Sequence, residues 1–116
     1  MSNLANKKCV PCEGGTPSLK GEEIKKYLAQ LETAWEVLDD KKIKREFKFK
    51  DFKEAMVFVN KVADLAEQEQ HHPNIRIYYN KVVIELTTHV IGGLSENDFI
   101  MGAKIEQLYA RTKGTK

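Results

Sequence analysis

The chain has 116 residues and a mass of 13.3 kDa, the size of one domain with a single core. Its 19 Lys and Arg against 17 Asp and Glu leave a net charge of +2, too small a basic excess for a protein built to wrap DNA or another polyanion. No apolar run nears the ~18 residues that cross a bilayer, and residues 1–8 lack the apolar stretch of a secretory signal.

Residues 1–18 read as an N-terminal arm: Gly14, Gly15 and Pro17 punctuate it and no hydrophobic period runs through it. It holds both cysteines, in Cys9-Val10-Pro11-Cys12. A redox CxxC sits between a strand and a helix, and a zinc site needs two further ligands. Neither context is visible here, so the pair reads as free thiols in a reducing compartment. Residues 19–116 read as a single domain.

A first helix is predicted over 21–31, where Ile24, Tyr27, Leu28 and Leu31 make one apolar face. Glu22 and Glu23 suit its positive end, and Lys20 is a weak cap. A hairpin follows. Trp35 and Val37 alternate with Glu36, residues 39–42 turn, and Ile43, Arg45, Phe47 and Phe49 face one side while Lys44, Glu46 and Lys48 face the other. The second helix opens at Asp51 with Glu54 as its capping-box partner. Its predicted stripe is Phe52, Ala55, Met56, Val59, Val62, Ala63 and Ala66, and it ends before Pro73. In a second hairpin Ile75, Ile77 and Tyr79 alternate with Arg76 and Tyr78, Asn80-Lys81 bends, and Val82, Ile84 and Leu86 lead a strand that reaches Thr88 and His89. Gly92-Gly93 breaks it. The last helix starts at Ser95 with Asp98 in the capping-box position, and Phe99, Met101, Ile105 and Leu108 face inward. The order α-β-β-α-β-β-α, with strands arriving as hairpins, predicts an α+β fold: a four-stranded antiparallel sheet with three helices packed on one face. A free edge strand would let copies of the chain pair into a homo-oligomer.

The chemistry concentrates on three histidines. His71 and His72 follow the second helix, His89 closes the last strand, and a helix exit and a strand end can meet at one rim of the sheet. Glu67, one helical turn before His71, is placed to orient its ring. Histidine titrates near neutrality and moves protons either way. Three readings stand on the residues alone: structural histidines at element ends, a three-histidine metal site, and a proton-transfer site. Adjacent histidines point apart, and no carboxylate or cysteine completes a familiar metal spacing. No phosphate loop or GxSxG elbow occurs.

Glu67-x-x-x-His71-His72-Pro73, Tyr79-Asn80-Lys81-Val82, Thr88-His89 and Gly93-Leu94-Ser95-x-x-Asp98 resemble blocks of the pterin-4a-carbinolamine dehydratases, at similar separations. Trp35, the stretch from Phe47 to Phe52 and the Cys9-Val-Pro-Cys12-Glu13-Gly14-Gly15 arm extend the likeness over nearly the whole chain. Gln70, Ile75 and Asn97 depart from it, standing where Asp, an aromatic and a basic residue are common. The resemblance implies a four-stranded sheet with three helices and the dehydration of 4a-hydroxytetrahydrobiopterin to quinonoid dihydrobiopterin, recycling pterin for aromatic amino acid hydroxylases. It implies no metal and no cofactor. It gives His71 and His89 acid–base roles, and His72 substrate binding with Glu67 as its orienting partner. Gln70, Thr87, Thr88 and Val90 would line the pterin pocket. It also implies a homodimer or homotetramer, a cytoplasmic setting that admits a nuclear one, no direct nucleic-acid or membrane contact, and, as an alternative role, a dimerisation cofactor of a transcription factor.

Overall fold

In a computed structural model, residues 4–10 and 17–114 are described; Cys12, Gly14 and Gly15 lie outside them. The elements are a 3-10 turn at Leu4–Asn6, α1 Gly21–Leu28, β1 Glu36–Leu38, β2 Lys42–Lys48, α2 Phe52–Glu69, β3 Asn74–Tyr78, β4 Lys81–Leu86, a 3-10 turn at His89–Ile91, and α3 Glu96–Gly114. The four strands form one antiparallel sheet in the order β1-β2-β4-β3. The expected α+β architecture is the one observed.

Register puts the apolar residues of neighbouring strands in rows. Phe47, Val82 and Ile77 share one, and Arg45, Ile84 and Ile75 the next. Phe47, Ile43, Val82, Ile84 and Leu86 are fully buried with Phe58 of α2 and Phe99 and Ile105 of α3. Phe47 lies at the centre of an aromatic group, 5.0 Å from Phe58, 4.9 Å from Tyr109 and 5.9 Å from Trp35 between ring centres, each contact adding about 0.5–1.5 kcal/mol to area burial. The central strand β4 is buried on its outer side too. Glu85 points there, 2.9 Å from Arg76 and 3.9 Å from Lys42. Burial pushes its carboxyl up, but the two cations outweigh that and hold it below the usual carboxylate range.

Three expectations shift. The helix predicted over 21–31 ends at Leu28, although Leu31 stays buried. The reason is Glu106 of α3: its carboxylate accepts hydrogen bonds from Glu32 N, Thr33 N, the Thr33 hydroxyl and Trp35 Nε1. Those donors are satisfied without helix, and the chain turns towards the sheet. On α2 the buried line is Ala55, Phe58, Val62 and Ala66. Phe52, its first residue, is half exposed because contact begins one turn later. In the segment read as an arm, Leu4 is 1% exposed and sits in the core. A single buried leucine has no period to detect.

The N-cap that the sequence implies for α2 forms. Asp51 Oδ1 accepts Glu54 N at 2.9 Å, worth about 1 kcal/mol. Among the described residues no helix is long and apolar enough to cross a membrane.

Candidate active site

Two backbone devices build the site. At the end of α2, Gln70 takes the left-handed conformation (φ 56°), and His71 N donates back to Ala66 O at 3.3 Å. This ends the helix and swings His71 and His72 off its axis before Pro73. After β4, the chain forms the 3-10 turn His89–Ile91, which Gly92 closes at φ 67°. Thr88 then pairs with Gly93, Thr88 N donating to Gly93 O at 2.8 Å. Gly93 must be glycine, because a Cβ there would lie 2.8 Å from Ser18 Cβ. His89, predicted to close a strand, thus belongs to this turn.

Both devices open on one cleft of about 400 Å³. Gln70, His71, His72, Thr87, Thr88, His89 and Val90 line it, with Val10 and Asn97. The three histidines therefore meet, as their placement in the sequence suggests. Glu67 does not line the cleft. It bonds His72, Oε2 to Nε2 at 2.7 Å, and both side chains are exposed. The expectation that Glu67 orients His71 is corrected, because the left-handed Gln70 turns His71 away from the exposed face where Glu67 sits.

The partner of His71 is Asp98. Its Oδ1 is 2.7 Å from His71 Nε2, the His71 side chain is 11% exposed, and the Asp98 side chain is fully buried. Asp98 Oδ2 accepts Thr88 Oγ1 at 2.8 Å and Ser95 N at 3.0 Å. A carboxylate only accepts, so Nε2 of His71 carries the hydrogen and Nδ1 is the ring nitrogen left for a substrate. Thr88 spends its proton on Asp98, so the Ser95 hydroxyl, 2.8 Å away, donates to Thr88. The capping-box pattern located Asp98 but not this work. One oxygen closes α3 and the other holds a histidine 27 residues upstream. Ser95, expected to cap the helix with its side chain, gives its hydroxyl to Thr88 instead. The Thr87 hydroxyl donates to Lys41 O at 2.5 Å.

Cys9 lies beside the cleft. Its N–H donates to Glu69 Oε1 at 2.8 Å, and its Sγ is 3.7 Å from Asn97 O. Burial and the Glu69 carboxylate push the thiol up to about 12. At pH 8 only about one molecule in 10⁴ then carries the reactive thiolate. Cys9 should therefore react with iodoacetamide at least about tenfold more slowly in the folded protein than in urea, followed residue by residue by mass spectrometry. Equal rates would show that the environment does not suppress the thiolate. Among the described residues no group of three His, Cys, Asp or Glu is arranged to hold a metal ion.

The family model for pterin 4 alpha carbinolamine dehydratase matches residues 17–108. The chain is 51% identical over 107 residues to a protein of Alkaliphilus metalliredigens, covering 92% of this chain and 96% of that one. It is 52% identical over 108 residues to one of Nitrosomonas eutropha, covering 93% and 95%. Both carry the name "Putative pterin-4-alpha-carbinolamine dehydratase". Among solved structures, the transcriptional coactivator/pterin dehydratase of Brucella melitensis superposes with a TM-score of 0.74 at 35% identity, over 79% of this chain and 98% of that one. A pterin dehydratase-like RuBisCO assembly factor of the alpha-carboxysome, at 22% identity and a TM-score of 0.60 over 67% and 92%, shares the fold. On the sequence match and its coverage, the chain belongs to the pterin-4-alpha-carbinolamine dehydratase family.

Proposed function

We propose that the protein dehydrates 4a-hydroxytetrahydrobiopterin to quinonoid 6,7-dihydrobiopterin and water, and so recycles tetrahydrobiopterin. The C4a–O bond breaks and its electron pair leaves with the hydroxyl, which a protonated imidazole converts to water. The N5 proton goes to a neutral imidazole, and the N5–H electrons form the C4a=N5 double bond. No electron is gained or lost, so the step needs no redox cofactor, and two proton transfers are enough to balance it. His71 and His89 take the acid–base roles, and His72, oriented by Glu67, binds substrate beside Gln70, Thr87, Thr88 and Val90.

The observation that carries this reading is one histidine, His71, tied by Nε2 to a buried carboxylate and sharing a cleft with two more. A well-placed acid or base contributes about 10² to 10⁴-fold. The test is loss of the 4a-carbinolamine absorbance from synthetic substrate, with a metal chelator present. The protein should raise the rate well above the spontaneous one, and an unchanged rate would overturn the proposal.

A cytoplasmic setting and a homodimer or homotetramer belong to the same proposal. The edge strand β3 and its turn leave Ile77, Tyr78 and Tyr79 exposed, a surface suited to strand pairing. A second role, as a protein partner of a transcription factor, is favoured by the coactivator description of the Brucella protein.

A further inference from the structure

Asn97 is 5% exposed on the first turn of α3, next to the Asp98 that holds His71. Its carboxamide is turned towards the N-terminal segment. Val10 N donates to Asn97 Oδ1 at 3.0 Å, and Asn97 Nδ2 donates to Val10 O at 2.5 Å. The side chain thus treats Val10 as a neighbouring strand would, taking both its backbone donor and its acceptor. One residue earlier, Cys9 N is held by Glu69 Oε1, and Glu69 is in turn held by Lys104 at 3.4 Å. Two elements, α2 and α3, therefore grip residues 9 and 10.

The gripped segment ends at the cleft. Val10 lines it, is 64% exposed, and faces a site whose other walls are largely polar. Val90, 53% exposed, is the other aliphatic side chain there. Flat heteroaromatic ligands are bound by apolar contact on their faces and polar groups at their edges. Two exposed valines beside Gln70, Thr87 and the histidines supply both.

We propose that residues 9–10, clamped by Asn97 and Glu69, are a fixed wall of the pterin site, with Val10 a specificity-determining contact and Asn97 the positioning residue behind it. The choice of a pterin as ligand rests on the dehydratase reading. Fixing the wall before binding removes the need to order it on binding, so its loss should weaken affinity and leave the chemical step alone.

The test compares wild type with Asn97→Ala, which releases the segment, and Val10→Ala, which keeps the clamp and trims the wall. Three readouts are taken: steady-state turnover of the carbinolamine, calorimetric binding of a stable 7,8-dihydropterin, and thermal unfolding. Both variants should raise KM and the dihydropterin Kd about three- to tenfold, with kcat within about twofold of wild type. Val10→Ala should melt with wild type, because Val10 is exposed. Wild-type KM and Kd in both variants would overturn the wall, even if Asn97→Ala melts lower. If wild type binds dihydropterin without turning over the carbinolamine, the dehydratase reading fails and the wall is decided on Kd alone. If wild type turns over the carbinolamine without measurable dihydropterin binding, the wall is decided on KM alone, and if it does neither, both fail.

Discussion

Asp98→Ala should lower stability by about 3 kcal/mol and turnover by on the order of 10²-fold or more. Asp98 is fully buried and takes three donors: His71 Nε2, Thr88 Oγ1 and Ser95 N. Alanine leaves all three without their acceptor. Thr88 and Ser95 can still bond each other, which limits the loss to roughly the cost of one or two orphaned groups. In a domain of this size that is a fall in Tm of about 10 °C. The catalytic loss has a different origin, because His71 loses the group that fixes its ring and tautomer. Asp98→Asn separates the two. An amide keeps the shape but replaces one acceptor by a donor, so Nε2–H of His71 and the donors on Oδ2 cannot all be accepted. The ring must give up its tautomer or its place. The asparagine variant should therefore be the better folded of the two by circular dichroism melting and still lose most turnover. Wild-type turnover in Asp98→Asn would show that the Asp98 contact does no catalytic work.

His71→Ala should reduce turnover about 10² to 10⁴-fold while retaining the fold. The side chain is in contact with the cleft, and water entering from there can reach Asp98 once the ring is gone. His72→Ala makes the contrast. Its ring and its partner Glu67 are both exposed, and exposed pairs add at most about 1 kcal/mol. Removing the ring should raise KM several-fold and leave Tm nearly unchanged. Steady-state kinetics on the carbinolamine separates the two histidines by which constant moves. A larger kcat loss in His72→Ala than in His71→Ala would reverse their assignment.

The fold was legible because each element carries its own period or cap. The alternation from Ile43 to Phe49, the Asp51–Glu54 pair and the Ser95–Asp98 spacing each act over a few residues, and local physics reads them directly. The histidine cluster was legible for a related reason: residues at element ends collect at the rims of a sheet. Side-chain partners were not. Glu67 stands four residues before His71 and five before His72, and only the left-handed turn at Gln70 decides which ring it meets. The Asp98–His71 contact spans 27 residues and the Glu106 contacts to the 32–35 loop span more than 70, distances over which spacing in the chain says nothing. Val10 and Asn97 escaped for the same reason. An exposed valine in an irregular segment has no pattern, and its partner is on the last helix.

The central claim is that the histidines of this one cleft carry the proton transfers. The most direct measurement is the rate of 4a-carbinolamine loss with His71→Ala/His89→Ala, set beside wild type at equal concentration, after circular dichroism has shown the double variant folded. The account predicts a rate no greater than the spontaneous one. A double variant that keeps the wild-type rate would contradict it and move the chemistry to other residues.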